Sequence, residues 1–381
     1  MTEKTAIALT DAMYDRGLVS LGDLTRLADF RTRPYSQKRP LVYGAIGGSI
    51  TAGASAQPGH AYAPLLAEHL KQKHEVTFVN AGIGASNSLF GTFRLQKDLL
   101  VHKPDLVTVE YAVNDANNPE IALAYESLIR QCLMCESQPL VILIFTMRRD
   151  ASNVQDIHIP IGRHYDLPML SYRDAVYPEI AAGNWIWEDI SPDEVHPNDD
   201  GHRMMCEMFT RYLHNDQVNS HHMHCVPRTS EGQQYVLPEL MAPQASRYMN
   251  GRIYDASMMQ VLHNDGWTFC KHKGGYTGFE SQTPGAELHV RFTGNLAYLG
   301  YQKYAGDFGQ VQVTLDGKDM GIFDGHYEKP LIQAWAGGHT VIDTIASELA
   351  DGEHELHLKL LEQTHPQSHG HKFDIGYLLV S

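Results

Sequence analysis

Apolar residues along the chain change their rhythm twice. Residues 1–38 are mostly polar, and in LGDLTRLADF the leucines Leu21, Leu24 and Leu27 recur at helical spacing, which predicts a short helix. From Leu41 onward, short apolar runs alternate with helical patterns. LVYGAI (41–46), VTFVN (76–80), DLVTVEYAV (105–113), PLVILIF (139–145) and the weaker PMLSY (168–172) have strand length. PLLAEHLKQ (64–72), LFGTFRLQKDLL (89–100), IALAYESLIRQCLM (121–134) and the stretches 153–165, 173–182 and 200–214 have helical character. Strands that are apolar on both faces and separated by helices predict βαβ units around a parallel sheet covered on both sides. Residues 39–215 are therefore expected to form a doubly wound, flavodoxin-like α/β domain of about five strands, preceded by a helical extension over 1–38.

The second change comes after residue 215. HNDQVNSHHMHCVPRTSEGQQ (214–234) is polar and His-rich without helical period, and reads as part of a linker over 216–245. Beyond it the helical alternation stops. ELHVRF (287–292) alternates with period two, and QVQVTL (310–315) is followed by an Asp316–Gly317 turn and MGIF. HELHLKLL (354–361) and FDIGYLLV (373–380) also have strand character. Short strands broken by Gly and Asp-Gly turns predict an antiparallel β-sandwich over 246–381.

Composition is consistent with this two-domain reading. A chain of 381 residues, 43% hydrophobic and 20% charged, can fill a core in each domain. The net charge of -15, from 45 Asp+Glu against 30 Lys+Arg, disfavours nucleic acid and anionic membrane surfaces as partners. The five cysteines are odd in number and irregular in spacing, so no disulfide framework is implied. No basic start with an apolar run opens the sequence, and no stretch reaches the roughly 18 apolar residues of a membrane span. A cytoplasmic location is the expectation; a homo-oligomer is left open.

Four short elements carry candidate chemistry. AIGGSITAG (45–53) ends the first apolar strand. Its Gly pair allows a tight turn, and Ser49 can sit where the N–H groups of a following turn or helix point outward. It is not a P-loop, because no Lys follows, and it is not the G-x-S-x-G elbow, because Thr51 holds the last position. A plain Gly-rich turn is the competing reading. VNAGIGAS (79–86) ends the second strand, where Gly82 and Gly84 could be turn formers. YAVNDANN (111–118) ends the third; Asn114 and Asp115 could cap the helix near Pro119, with Asn114 better placed to face the crevice. DEVHPNDDGH (193–202) precedes the last helix, and Asp193, three residues before His196, can reach back to fix the imidazole tautomer.

Together these elements resemble the SGNH-hydrolase family, the GDSL-type esterases, over about residues 39–215. In that resemblance Ser49 is the nucleophile, His196 its base and Asp193 the triad acid. The Ser49 and Gly82 N–H groups and the Asn114 amide are the oxyanion donors. One departure stands out: the first block reads Gly-Gly-Ser where Gly-Asp-Ser is common. The C-terminal part resembles jelly-roll carbohydrate-binding modules more loosely, and the combination resembles bacterial carbohydrate esterases. The resemblance implies a serine esterase that removes acetyl groups from O-acetylated, hemicellulose-derived oligosaccharides of xylan or mannan type, without cofactor or metal. Two alternatives remain: an esterase or lysophospholipase for lipid-like acyl chains, and a non-catalytic carbohydrate-binding protein.

Other clusters have weaker readings. His221, His222, His224 and Cys225 lie too close in sequence to surround one ion without a remote partner. Cys132 and Cys135 fall in a helical apolar pattern, which favours packing over redox work. HELH (354–357) lacks the i, i+4 His pair of a zinc protease. Arg94 and Asp98 have the spacing of a helix-surface ion pair. Trp185 and Trp187 could belong to the core or line a substrate site. Trp267, Tyr276, Tyr301 and Tyr304 are candidate sugar-stacking aromatics, against the commoner role of sandwich core.

Overall fold

The computed structural model describes residues 7–36, 39–215, 235–271, 276–327 and 339–381. Two units emerge, Met1–Ser246 and Arg247–Ser381.

The first unit is built on strands β1 (Leu18–Ser20), β2 (Leu41–Gly47), β3 (Val76–Gly82), β4 (Leu106–Glu110), β5 (Leu140–Phe145) and β6 (Met169–Ser171). Its helices are α1 (Asp11–Gly17), α2 (Leu24–Ser36), α3 (Ser49–Ala52), α4 (Tyr62–Lys71), α5 (Ser88–Asp98), α6 (Pro119–Met134), α7 (Gln155–His164), α8 (Tyr172–Ala181) and α9 (Asp199–Leu213). The sheet order is β1-β6-β5-β4-β2-β3, parallel except for the β1–β6 pair. Alternate residues of one strand feed two different cores. Ile142 and Ile144 of β5 join a core with α2, α4, α8 and α9, while Val141, Leu143 and Phe145 join one with α5, α6 and α7. That double burial explains the unbroken apolar runs in the sequence.

The sheet has six strands rather than five, because LVS at 18–20 pairs antiparallel with β6. Residues 1–38 are thus more than a helical extension. The connection reverses direction between β2 and β4, since β2 leads outward to β3 on one side and the later strands build on the other. Ligands of open α/β sheets bind at the carboxyl ends beside such a switch point.

The described part of the expected linker lies along the first unit. Arg130 donates to the Pro238 carbonyl at 2.6 Å, and the N–H groups of Met241 and Ala242 donate to the Glu126 carboxylate at 2.5 and 3.1 Å. The guanidinium of Arg26 stacks 3.9 Å from the ring of Tyr235.

The second unit holds two antiparallel sheets. Its strands are β7 (Arg252–Tyr254), β8 (Gln260–Asp265), β9 (Thr268–Lys271), β10 (Thr277–Ser281), β11 (Glu287–Gly294), β12 (Ala297–Lys303), β13 (Gln310–Leu315), β14 (Lys318–Asp324), β15 (His339–Ala346), β16 (Gly352–Leu360) and β17 (Phe373–Val380). One sheet runs β15-β12-β17-β10-β9, with β7 also on β17, and the other runs β14-β13-β16-β11-β8. Inward residues such as Leu288, Val290, Val311, Val313, Leu356 and Leu358 meet Tyr301, Phe373 and Ile375 in a shared core. Asp316 and Gly317 turn β13 into β14 with φ of 50° and 77°, the positive values a two-residue hairpin requires.

Burial corrects the reading of Trp267, Tyr276 and Tyr301 as exposed stacking aromatics: all three are buried. Tyr304 is half-buried and stacks on Phe308. No helix among the described residues is long and apolar enough to cross a membrane.

Candidate active site

Ser49 is the first residue of α3, directly beyond the carboxyl end of β2. The turn that delivers it is held by the neighbouring strands. Gly48 N–H donates to the Glu110 carbonyl at the end of β4, and Ile83 N–H donates to the Gly47 carbonyl. On the far side, the loop before α9 presents His196. The Ser49 Oγ–H is 2.8 Å from His196 Nε2, and His196 Nδ1–H is 2.8 Å from Asp193 Oδ2. The three residues therefore form one continuous hydrogen-bonded chain. In it the acid orients the ring and the free ring nitrogen accepts the hydroxyl proton.

Hydrogen bonds surround the acid in this loop. Asp193 Oδ1 accepts the N–H groups of Val195 and His196, both at 2.8 Å. Ser191 donates to the carbonyls of Asp193 and His196, and the Trp187 indole N–H donates to the Asp193 carbonyl. Burial works to raise the Asp193 pKa, but the two backbone donors and the imidazole outweigh it, and the carboxyl stays below its ordinary range. Trp187 is accordingly a buried brace for the loop, and Trp185 packs partly buried against the same core.

Asn114 lies against the turn from the other side. A Cβ on Gly48 would come within 2.3 Å of Asn114 Oδ1 and 2.9 Å of its Cγ. The second Gly of the Gly-Gly-Ser block thus leaves the space that the Asn114 carboxamide fills beside Ser49. Only the tip of a side chain stands in the way, so the turn can absorb a Cβ by displacing that amide. Gly48→Ala is expected to lower kcat toward the about 10²–10³-fold loss of one oxyanion donor, with little change in Tm. Asn114→Ala should give a loss of the same order. Steady-state kinetics on p-nitrophenyl acetate with thermal melts checks both; a large Tm drop at unchanged kcat would make Gly48 a folding residue only.

Gly82 does not occupy the place expected for a donor. Its N–H donates to Asn80 Oδ1 at 2.9 Å, and a Cβ there would meet Ala52 N at 2.3 Å. It serves close packing under α3. The segment that passes Ser49 lies two residues on, where a Cβ on Gly84 would be 3.9 Å from Ser49 Cβ. Ala85 follows with φ 58°, a value uncommon outside Gly. Among the described residues the N–H groups of Ser49, Gly84 and Ala85 have no hydrogen-bond acceptor.

Three buried groups behind the site have places that the sequence does not show. Asp115 does not cap α6; Asn118 does, accepting the Ile121 N–H. Asp115 is buried, accepting the Ser88 N–H at 2.7 Å and bonding His158 Nε2 at 2.9 Å. His158 in turn stacks on Tyr125, ring centroids 3.7 Å apart. Arg94 is no surface partner of Asp98. It is fully buried, reaching the Gly47 carbonyl at 3.2 Å and the Tyr111 hydroxyl at 3.1 Å while still pairing with Asp98. An Arg among Leu89, Phe90, Phe93 and Leu95, on the apolar side of a helix, was the signal for it.

Glu110 is the third. Thr146 donates to its Oε1 at 2.6 Å, while Oε2 is buried with no hydrogen-bond partner among the described residues. Burial raises its pKa from 4.5 to about 7, against the opposing Thr146 bond. Below pH 4.5 both folded and unfolded chains hold this proton. Between pH 4.5 and about 7 only the folded chain keeps it, so stability falls across that window by about 3 kcal/mol. Glu110→Gln removes the titration. Its stability relative to wild type should rise by about that amount from pH 4.5 to 7 in denaturant unfolding. A pH-independent difference would show that Glu110 does not titrate this way.

Cys132 is buried, and burial pushes its thiol pKa up; Cys132, Cys135, Cys206 and Cys270 are free thiols. His221, His222, His224 and Cys225 lie outside the described residues.

Comparison with known proteins agrees with this architecture. Two crystal structures of a two-domain esterase (CEX) active on acetylated mannans, one co-crystallized with mannopentaose, are similar over the whole chain. The mannopentaose complex has a TM-score of 0.82 at 25% identity, covering 97% of each chain. The other has a TM-score of 0.81 at 25% identity, covering 97% of this chain and 98% of that one. No curated protein sequence matches. Residues 45–204 match the GDSL-like Lipase/Acylhydrolase family.

Proposed function

We propose that the protein is a serine esterase that removes acetyl groups from O-acetylated oligosaccharides of mannan or xylan type, with Ser49, His196 and Asp193 as its triad. The observation that carries the reading is the continuous hydrogen-bonded chain from Ser49 Oγ through the His196 ring to the Asp193 carboxylate. The similarity to an esterase active on acetylated mannans supports the substrate class.

The chemistry follows from the geometry. His196 Nε2 takes the Ser49 proton as Oγ attacks the acetyl carbonyl, and Asp193 stabilises the imidazolium. The carbonyl oxygen, now negative, turns toward the Ser49 N–H, the Asn114 amide and the N–H groups of Gly84 and Ala85, which replace Gly82 as donors. When the tetrahedral adduct collapses, His196 gives the proton to the departing sugar hydroxyl. Water then attacks the acetyl-serine along the reverse path, releasing acetate.

The test is mass spectrometry of acetylated manno- and xylo-oligosaccharides incubated with the full chain, alongside acetyl and octanoyl p-nitrophenyl esters. Stepwise loss of acetyl groups from at least one sugar series, with octanoate cleaved far more slowly, is the expected result. Preferential octanoate cleavage with untouched sugars would move the enzyme to lipid-like substrates. No turnover of any ester would leave a binding protein.

A further inference from the structure

The outer face of the five-stranded sheet gathers side chains that the esterase reading does not use. Glu287 and His289 are two apart on β11 and share that face. In register, His289 stands opposite His357 of β16 on one side and His263 of β8 on the other. The His357 of the HELH motif thus points away from its neighbour in that motif. His354 turns inward, is buried, and bonds Asp316 at 2.6 Å and the Ala350 carbonyl at 2.8 Å.

The outward groups converge. One ligand atom each from Glu287, His289 and His357 lies within 4.8 Å of the others. Glu287 Oε2 is 3.5 Å from His357 Nε2 and 3.8 Å from His289 Nε2. Bonds of 2.0–2.1 Å in a tetrahedral arrangement set ligand atoms about 3.4 Å apart, so the two carboxylate–imidazole gaps need to close by only a few tenths of an ångström. Lys359 holds Glu287 Oε1 at 2.8 Å and leaves Oε2 toward the histidines. Both His289 Nε2 and His357 Nε2 are shielded from solvent, and neither has a hydrogen-bond partner among the described residues. Two buried ring nitrogens that face a carboxylate oxygen without bonding it are polar groups that lack a ligand.

We propose that Glu287, His289 and His357 bind a divalent transition-metal ion of the zinc type. Imidazole with carboxylate suits zinc and its neighbours in the series rather than calcium or magnesium. His263 stands opposite His289 on the next strand with its ring centroid 5.4 Å away, and would have to swing closer to supply a fourth ligand. An ion held by β8, β11 and β16 would tie down β8, the edge strand of this sheet, whose residues are all exposed. The site departs from the expectation that the chain holds no metal.

The experiment is calorimetric titration of Zn²⁺ into the full chain after removal of metal by chelator. Wild type, His289→Gln, His357→Gln and a triple His221/His222/His224→Gln variant are compared, each checked for folding by circular dichroism. The result expected is that either single variant takes up one equivalent less than wild type, or binds it weaker by more than the about 10–100-fold that losing an outer partner costs. The triple variant keeps that equivalent. Because these side chains face outward, the variants should fold; Glu287→Gln, also outward, gives a third reading of the same site. No uptake by wild type, or uptake unchanged in both His289→Gln and His357→Gln, overturns the proposal.

Discussion

Ser49→Ala is expected to reduce kcat on any ester substrate by the order of 10⁶-fold, the scale seen when a serine hydrolase loses its nucleophile. The fold should survive. Ser49 contributes to α3 through its backbone: its carbonyl accepts the N–H groups of Gly53 and Ala54 at 3.0 and 2.9 Å, and Ala keeps both bonds. The hydroxyl's hydrogen-bond partner is His196 Nε2, which is left free to bond water. The proposed oxyanion donors also remain, so a residual rate above that of water is expected rather than none. Burst kinetics with p-nitrophenyl acetate supplies the measurement. Wild type should release one equivalent of nitrophenol quickly as acetyl-serine accumulates, and the variant should show no burst. A variant that retains more than a few per cent of wild-type kcat would place the nucleophile elsewhere.

The legible parts of this protein were those carried by local pattern. The inner parallel strands were visible because they are buried on two faces, as the unbroken apolar run LVILIF of β5 shows; the edge strand β3 is only partly buried and was visible from the short run VTFVN alone. β1 was not visible, since three residues, LVS, carry no period and their pairing with β6 is set some 150 residues away. Asp193 and His196 could be paired from sequence because their bond closes a short loop. The Asp115–His158 bond spans 43 residues and could not. Gly82 and Gly84 were equivalent in sequence; only the packing against Ala52 and the φ of Ala85 separate the structural residue from the segment beside Ser49. In the sandwich, the alternation of β11 and β16 was legible but the partners across strands were not. Register decides that His357 meets His289, and register is set by the whole sheet.

Asp193→Asn is expected to be the most damaging change outside Ser49 and His196, and to be worse than Asp193→Ala. The reason lies in how the carboxylate is held. Its Oδ1 accepts two N–H groups, from Val195 and His196, so an amide NH₂ cannot sit there without facing two donors. The Asn side chain must therefore place its oxygen on those donors and its NH₂ toward His196 Nδ1. A donor at that position forces Nδ1 to accept, which moves the ring proton to Nε2. A protonated Nε2 cannot take the Ser49 proton, and the loss is about 10⁴-fold in kcat. Ala removes the orienting bond but leaves the tautomer free to choose, with water available because the Asp193 side chain is 45% exposed. That exposure also screens the carboxylate's charge, so the purely electrostatic part of its contribution is the smaller one. The ordering Asn below Ala in kcat, at equal Tm, is the test. If Ala is as slow as Asn or slower, Asp193 works through its charge or its packing rather than by fixing the tautomer of His196.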